Sequence, residues 1–269
     1  MMNLIFQYYI VLKKQFRVEF SYKTSFILQY LLIPISIIPW FFISKLIDTN
    51  SEFLPENYNY FTFVVLGIAC LDFCATIINF IINRVREEQI SGVLEEIILT
   101  KMNLINYFGA LSLYPMLQGL FKLIFYILIM QLFINVNLNI SLFLFSFINL
   151  FLTVISLAGI GMISASVILL IKRGNYVNRI YILLSSLCSG IAYPVTVLPE
   201  SIHFISNIIP TTQFVNSIRA CFSNEGSIET VFMLASHQSI LAVTYIFCGI
   251  FILRFAIKTT IKSNALSDY

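Results

Sequence analysis

The chain has 269 residues, 59% hydrophobic and 11% charged, with a mean hydropathy of +0.89. A soluble domain carries about 25% charged residues, so the composition excludes one and predicts an all-α protein that crosses a membrane several times. The net charge of +3 says little by itself, and no nucleic-acid partner is expected.

Residues 3–22 do not read as a signal peptide, because positive charge follows the first apolar residues and no small-residue cleavage site appears. Ile5, Tyr8, Leu12, Phe16 and Phe20 recur at helical spacing, with Lys13, Lys14 and Arg17 off that stripe. Residues 1–22 therefore read as an amphipathic helix lying on the membrane surface against lipid headgroups, or else as the beginning of the first span.

Six spans are predicted. The first covers about 25–46 and contains Pro34 and Pro39; a polar loop carrying Asp48, Glu52 and Glu56 follows. The second covers about 60–83 and the third about 104–134. The fourth, about 140–171, holds Ala158, Gly161, Ser164, Ala165 and Ser166, small residues that let another helix approach. A basic turn leads to the fifth span, about 180–198, and the sixth covers about 231–257. Asp72 and Lys122 fall near the middles of spans two and three. These run antiparallel, so a contact between the two residues is expected; it would fix span packing, or Asp72 would face a transport pathway. With the amino terminus inside, thirteen of the sixteen Lys and Arg lie on one side. The positive-inside rule then puts both termini in the cytoplasm of an integral plasma (inner) membrane protein of bacterial type.

Between spans two and three lies RVREEQISGVLEEIILTK, residues 84–101, holding four of the thirteen acidic residues. As one helix, at about 100° per residue, it would place Glu88, Ser91, Gly92 and Glu95 opposite Ile90, Val93, Leu94 and Ile97. The spacing Glu88-x-x-x-Gly92-Val93-Leu94-Glu95, with Thr100 following, resembles the E-x-x-x-G-T-L-E…T-P signature of type-2 ABC transporter permeases. Val93 departs from the usual Thr and Lys101 from the usual Pro. The resemblance implies that 84–101 is a coupling helix docking into an ATPase, with Glu88, Gly92, Leu94 and Glu95 as its contacts.

The stretch 189–230 is broken by Pro194, Pro199 and Pro210 into pieces too short to span, so its backbone must be satisfied by protein instead of lipid. An ordinary amphipathic external loop is the alternative. The pattern Gly190…Pro194…Leu198-Pro199…Pro210-Thr211…Arg219 is similar to the outer segment between the last two spans of the same family. There the resemblance implies re-entrant outer helices over 194–222 and makes the three prolines part of an outer gate.

The five cysteines, Cys70, Cys74, Cys188, Cys221 and Cys248, match no zinc spacing, and His203 and His237 show no ligand pattern, so no metal site is expected. No G-x-x-x-x-G-K-[ST] cradle and no nucleophile–base arrangement occurs. The chain is expected to be no enzyme and to bind no cofactor. Residues 1–269 read as a single permease domain. The resemblance implies a second permease chain, identical or similar, and two ABC ATPase subunits that carry ATP and Mg. It implies export of a drug-like or antibiotic compound, or else of a lipid-linked polysaccharide. The rival from another class is an ATP-independent secondary transporter or channel using Asp72 and Lys122.

Overall fold

The computed structural model describes residues 12–13, 15–17, 23–46, 59–92, 104–134, 138–171, 176–223 and 226–262. Five helices in it are long and apolar enough to cross a membrane: α1 (Lys23–Ser44), α2 (Tyr60–Ile90), α3 (Leu104–Phe133), α4 (Ile140–Ile171) and, last in the chain, α8 (Ile228–Lys262). Between the last two come α5 (Tyr176–Cys188), a single 3₁₀ turn over Val195–Val197, α6 (Glu200–Ile208) and α7 (Pro210–Ala220).

The helix starts are written locally. Asn59 caps α2, its side chain accepting from the Phe61 amide at 3.2 Å, and Asn139 Oδ1 accepts from the Leu142 amide at 3.3 Å to cap α4. Ser227 and Thr230 cap α8 reciprocally, each backbone amide bonding the other's hydroxyl. Pro210 sits at the first position of α7, where its missing N–H costs nothing. Pro199 directly precedes α6, and Pro194 directly precedes the 3₁₀ turn.

The expected fifth span is not a long helix. Alpha5 has 13 residues, about 20 Å of helix against about 30 Å of hydrocarbon. The apolar run continues past it, but Gly190 takes φ +71° and turns the chain; a run of apolar residues cannot reveal that break. Of the expected surface helix 1–22, only 12–13 and 15–17 fall within the described residues. They are helical, and the Phe16 ring meets Tyr114 of α3 edge-on at 5.2 Å.

Alpha2 and α4 form the buried centre. Alpha4 and α8 share the most extensive helix–helix interface, because glycine removes the side chain at their crossing. A Cβ on Gly159 would lie 2.5 Å from the Tyr245 carbonyl carbon, and one on Gly249 would lie 2.6 Å from the Gly159 oxygen. Gly161 admits Ile81 of α2 in the same way. Alpha1 is the least embedded span: Ile33 and Ile37 are buried, while Ile27, Leu31, Leu32, Ile35 and Phe42 face outward.

Candidate functional site

Three places along α2 carry the unusual chemistry. At its Gly92 end, α2 continues without interruption through Arg84 to Ile90 and stops. Gly92 adopts φ +74°, the left-handed conformation that ends helices, and its amide bonds the Gln89 carbonyl at 3.2 Å. The expected single helix over 84–101 is thus corrected: its first part is the last two turns of α2, and the direction changes at Gly92. The register argument that put Glu88, Ser91, Gly92 and Glu95 on one face fails because a positive-φ residue breaks the 100° progression. Leu94 and Glu95 lie outside the described residues.

Glu88 is also corrected. It is 6% exposed, not part of an open acidic face. Its carboxylate accepts from Arg84 Nε at 2.9 Å and from the Tyr107 hydroxyl of α3. Arg84 also reaches Glu87 at 3.4 Å. Glu88 therefore ties the end of α2 to the start of α3. Nothing stands within 4 Å of where a Gly92 Cβ would be, so within this chain Gly92 is required by its backbone conformation and not by close approach.

At mid-span, Asp72 and Lys122 are brought together. Lys122 Nζ lies 3.2 Å from Asp72 Oδ2 and donates to the Thr76 hydroxyl at 3.0 Å. The Lys122 side chain is 13% exposed and that of Asp72 31%. Polar contacts continue onto α1, where Gln118 donates to Gln29 at 2.9 Å and Ser36 meets the Tyr126 hydroxyl at 3.5 Å. One turn further along α2, Asn178 of α5 donates to Asn79.

At the Phe61 end, α2 receives Arg219 from α7. This arginine is buried, donating to the carbonyls of Gly190 at 2.8 Å, Ile191 at 3.1 Å and Phe63 at 2.8 Å, with its guanidinium 3.4 Å from the Phe63 ring centre. Gly67 completes the arrangement: a Cβ there would fall 2.8 Å from the Ile191 oxygen. Tyr60 adds a bond to the Ala192 carbonyl at 3.2 Å. Alpha7 is further held to α4 and α8 by a buried polar cluster. Asn149 donates to Ser217 Oγ at 2.9 Å and to the Val231 carbonyl at 3.2 Å, and Ser146 meets Cys221 Sγ at 3.0 Å. Burial pushes the Cys221 thiol above its ordinary value, with the Ser146 bond opposing.

The sequence placed Arg219 at the end of the family-like pattern of the 189–230 stretch without a role of its own, and did not single out Tyr107, Thr76 or Asn79. The available signal for Arg219 was its isolation, since no other charge occurs between Glu200 and Glu225. Pro194, Pro199 and Pro210 each stand at the start of a helical piece.

A family model described as ABC-2 type transporter matches residues 6–223, most of the chain, and this protein belongs to that family. It is an integral membrane protein and a membrane subunit of an ABC transporter, a family that works in association with ABC ATPases. No curated protein matches the chain.

Proposed function

We propose that this chain is the permease of an ATP-driven exporter. Two copies, or this chain and a similar one, line one pathway, and two separate ATPase subunits bind on the cytoplasmic side. ATP and Mg reside on those partners, and this chain catalyses no reaction of its own. The segment from Gly92 to Lys101 docks into the ATPase, with Leu94 and Glu95 at the contact, while Glu88 holds the segment's root. The 189–223 region lies on the opposite side and gates the outer end. The cargo is a drug-like or antibiotic compound, or a lipid-linked polysaccharide.

The observation that carries this reading is the family match, supported by the Glu88-x-x-x-Gly92 spacing at the point where α2 stops and the chain turns. The test is purification in mild detergent with mass spectrometry of co-purifying proteins. A stoichiometric P-loop ATPase that is lost on Glu95→Arg, with normal membrane insertion, is the expected result. Transport by the chain alone, driven by a proton gradient without ATP, would sink the reading in favour of an ion-coupled carrier using Asp72 and Lys122.

A further inference from the structure

A buried polar seam joins α4, α7 and α8, and its hydrogen bonds do not close. Ser146, Asn149, Thr153 and Ser156 follow one another along α4 at helical spacing, and all four are fully buried. They meet Ser217 of α7 and, on α8, Val231 and Gln238. The donors of the seam are spent. Asn149 gives its two amide hydrogens to Ser217 Oγ at 2.9 Å and the Val231 carbonyl at 3.2 Å, and Gln238 gives its two to Thr153 Oγ1 at 3.1 Å and Ser156 Oγ at 3.4 Å. Thr153 and Ser156 donate in turn to carbonyls of their own helix, those of Asn149 at 2.7 Å and Leu152 at 2.9 Å. Ser217 donates to Ser146 Oγ at 3.1 Å, and Ser146 to the Ser217 carbonyl at 3.2 Å. Two acceptors are left, Asn149 Oδ1 and Gln238 Oε1, buried and without a hydrogen-bond partner among the described residues. Turning either amide over does not repair this. A turned Asn149 would set Oδ1 against the Val231 carbonyl, acceptor against acceptor. A turned Gln238 would bury its NH2 group unpaired, and its oxygen would meet only hydroxyls already committed to carbonyls. An amide end left unpaired at this depth is costly.

We propose that each of these two oxygens holds a buried water molecule, so that α7 is joined to α4 and α8 through a hydrated seam. This goes beyond the exporter reading and does not depend on it. The seam has acceptors to spare and no free donor, and water supplies two donors. One hydrogen goes to the amide oxygen. The second has a hydroxyl lone pair to meet, on Ser217 beside Asn149 and on Thr153 or Ser156 beside Gln238; each of these oxygens accepts one bond from an amide and has capacity for another. A monovalent cation fits less well, because the seam contains no carboxylate and an uncompensated charge in the membrane interior is expensive. The helix pattern also leaves room. Val231, Ala235 and Gln238 lie within an arc of about 60° on α8, and all three are buried. Val231 and Gln238 stand about 10 Å apart along the helix, and Ala235 between them brings only a methyl group to that face.

The test is a cryo-electron microscopy map of the full chain in lipid nanodiscs, at a resolution where waters elsewhere in the protein are visible. A rounded feature about 2.5–3.0 Å from Asn149 Oδ1, and a second at the same distance from Gln238 Oε1, are expected. In Gln238→Met, which keeps the length of the side chain and removes the acceptor, the second feature is expected to vanish and the first to stay. Should that variant fail to fold, the unaltered chain decides, in a further map with all alkali cations replaced by choline, where both features are expected to persist. Their loss in choline would make the seam a cation site and overturn the proposal. So would empty space at both oxygens, a side chain of this chain bonded to them instead, or a feature drawn out into a lipid or detergent tail. A feature at one oxygen alone would overturn the site at the other. None of these maps uses an ATPase or a transport assay, so the hydrated seam and the exporter assignment stand or fall separately.

Discussion

Replacing Arg219 by Met keeps most of the stem volume and removes the guanidinium. Of the three carbonyls it serves, that of Phe63 lies inside α2, where the helix ladder also reaches it, but those of Gly190 and Ile191 lie in a non-helical turn. Two buried acceptors are therefore orphaned, at about 1–3 kcal/mol each. The cation–ring contact over Phe63 adds about 1 kcal/mol. Relief from burying a charge offsets part of this, leaving a net loss of about 3–5 kcal/mol. Reversible unfolding in mixed micelles measures it, with Arg254→Met at an exposed position of α8 as the comparison, expected to shift stability by about 0.5 kcal/mol or less. Arg219→Lys keeps the charge but not the fork that bridges two elements, so it is expected to recover only part of the loss. A loss below about 1 kcal/mol for Arg219→Met would show that the turn is held by something else, and the reasoning would fail.

Tyr107→Phe and Glu88→Gln are each expected to destabilise the protein, and their effects are expected to be clearly non-additive because they share one bond; additivity in a double-mutant cycle would remove Glu88 as the anchor. Glu88→Arg is expected to lower the yield of folded protein, visible by size exclusion before any assay of ATPase binding. Gly159→Ala meets backbone and is expected to cost about 2 kcal/mol or more. Gly161→Ala meets the Ile81 side chain, nearest at Cγ2, and no backbone, and is expected to cost less, a ranking that thermal unfolding in detergent checks. Asp72→Asn and Lys122→Met, alone and combined, are expected to show a coupling of about 1 kcal/mol or more; zero coupling would mean that the ion pair contributes nothing to holding α2 against α3.

Much of the fold is written in local pattern. Apolar runs located the five long helices, although α2 runs past its expected end at about 83 to Ile90, and capping side chains mark three of the starts, at Asn59, Asn139 and Ser227. The proximity of Asp72 and Lys122 follows from equal depth in antiparallel neighbours. What periodicity could not reveal was the effect of one residue's φ. Gly92 and Gly190 both leave the right-handed region, and each ends a helix that an unbroken hydrophobic pattern would continue. Glu88 was misplaced for a related reason. Its angular position on α2 was sound, but a lone helix does not say which side its neighbour occupies, and Tyr107 of α3 sits on the side read as free. Arg219 illustrates the opposite limit, since its partners are backbone carbonyls, which leave no trace in the amino-acid sequence.

Alpha2 contains no proline, unlike α1 with Pro34 and Pro39 and α3 with Pro115. It is a single continuous helix of 31 residues, about 46 Å long, bolted to α3 through Glu88 near one end and to the 190–219 region through Arg219 near the other. One continuous helix therefore links two turns of the chain, the one at Gly92 and the one at Gly190, the second through Phe63 and Arg219. A displacement imposed at Gly92 is expected to reach the Gly190 turn along this path.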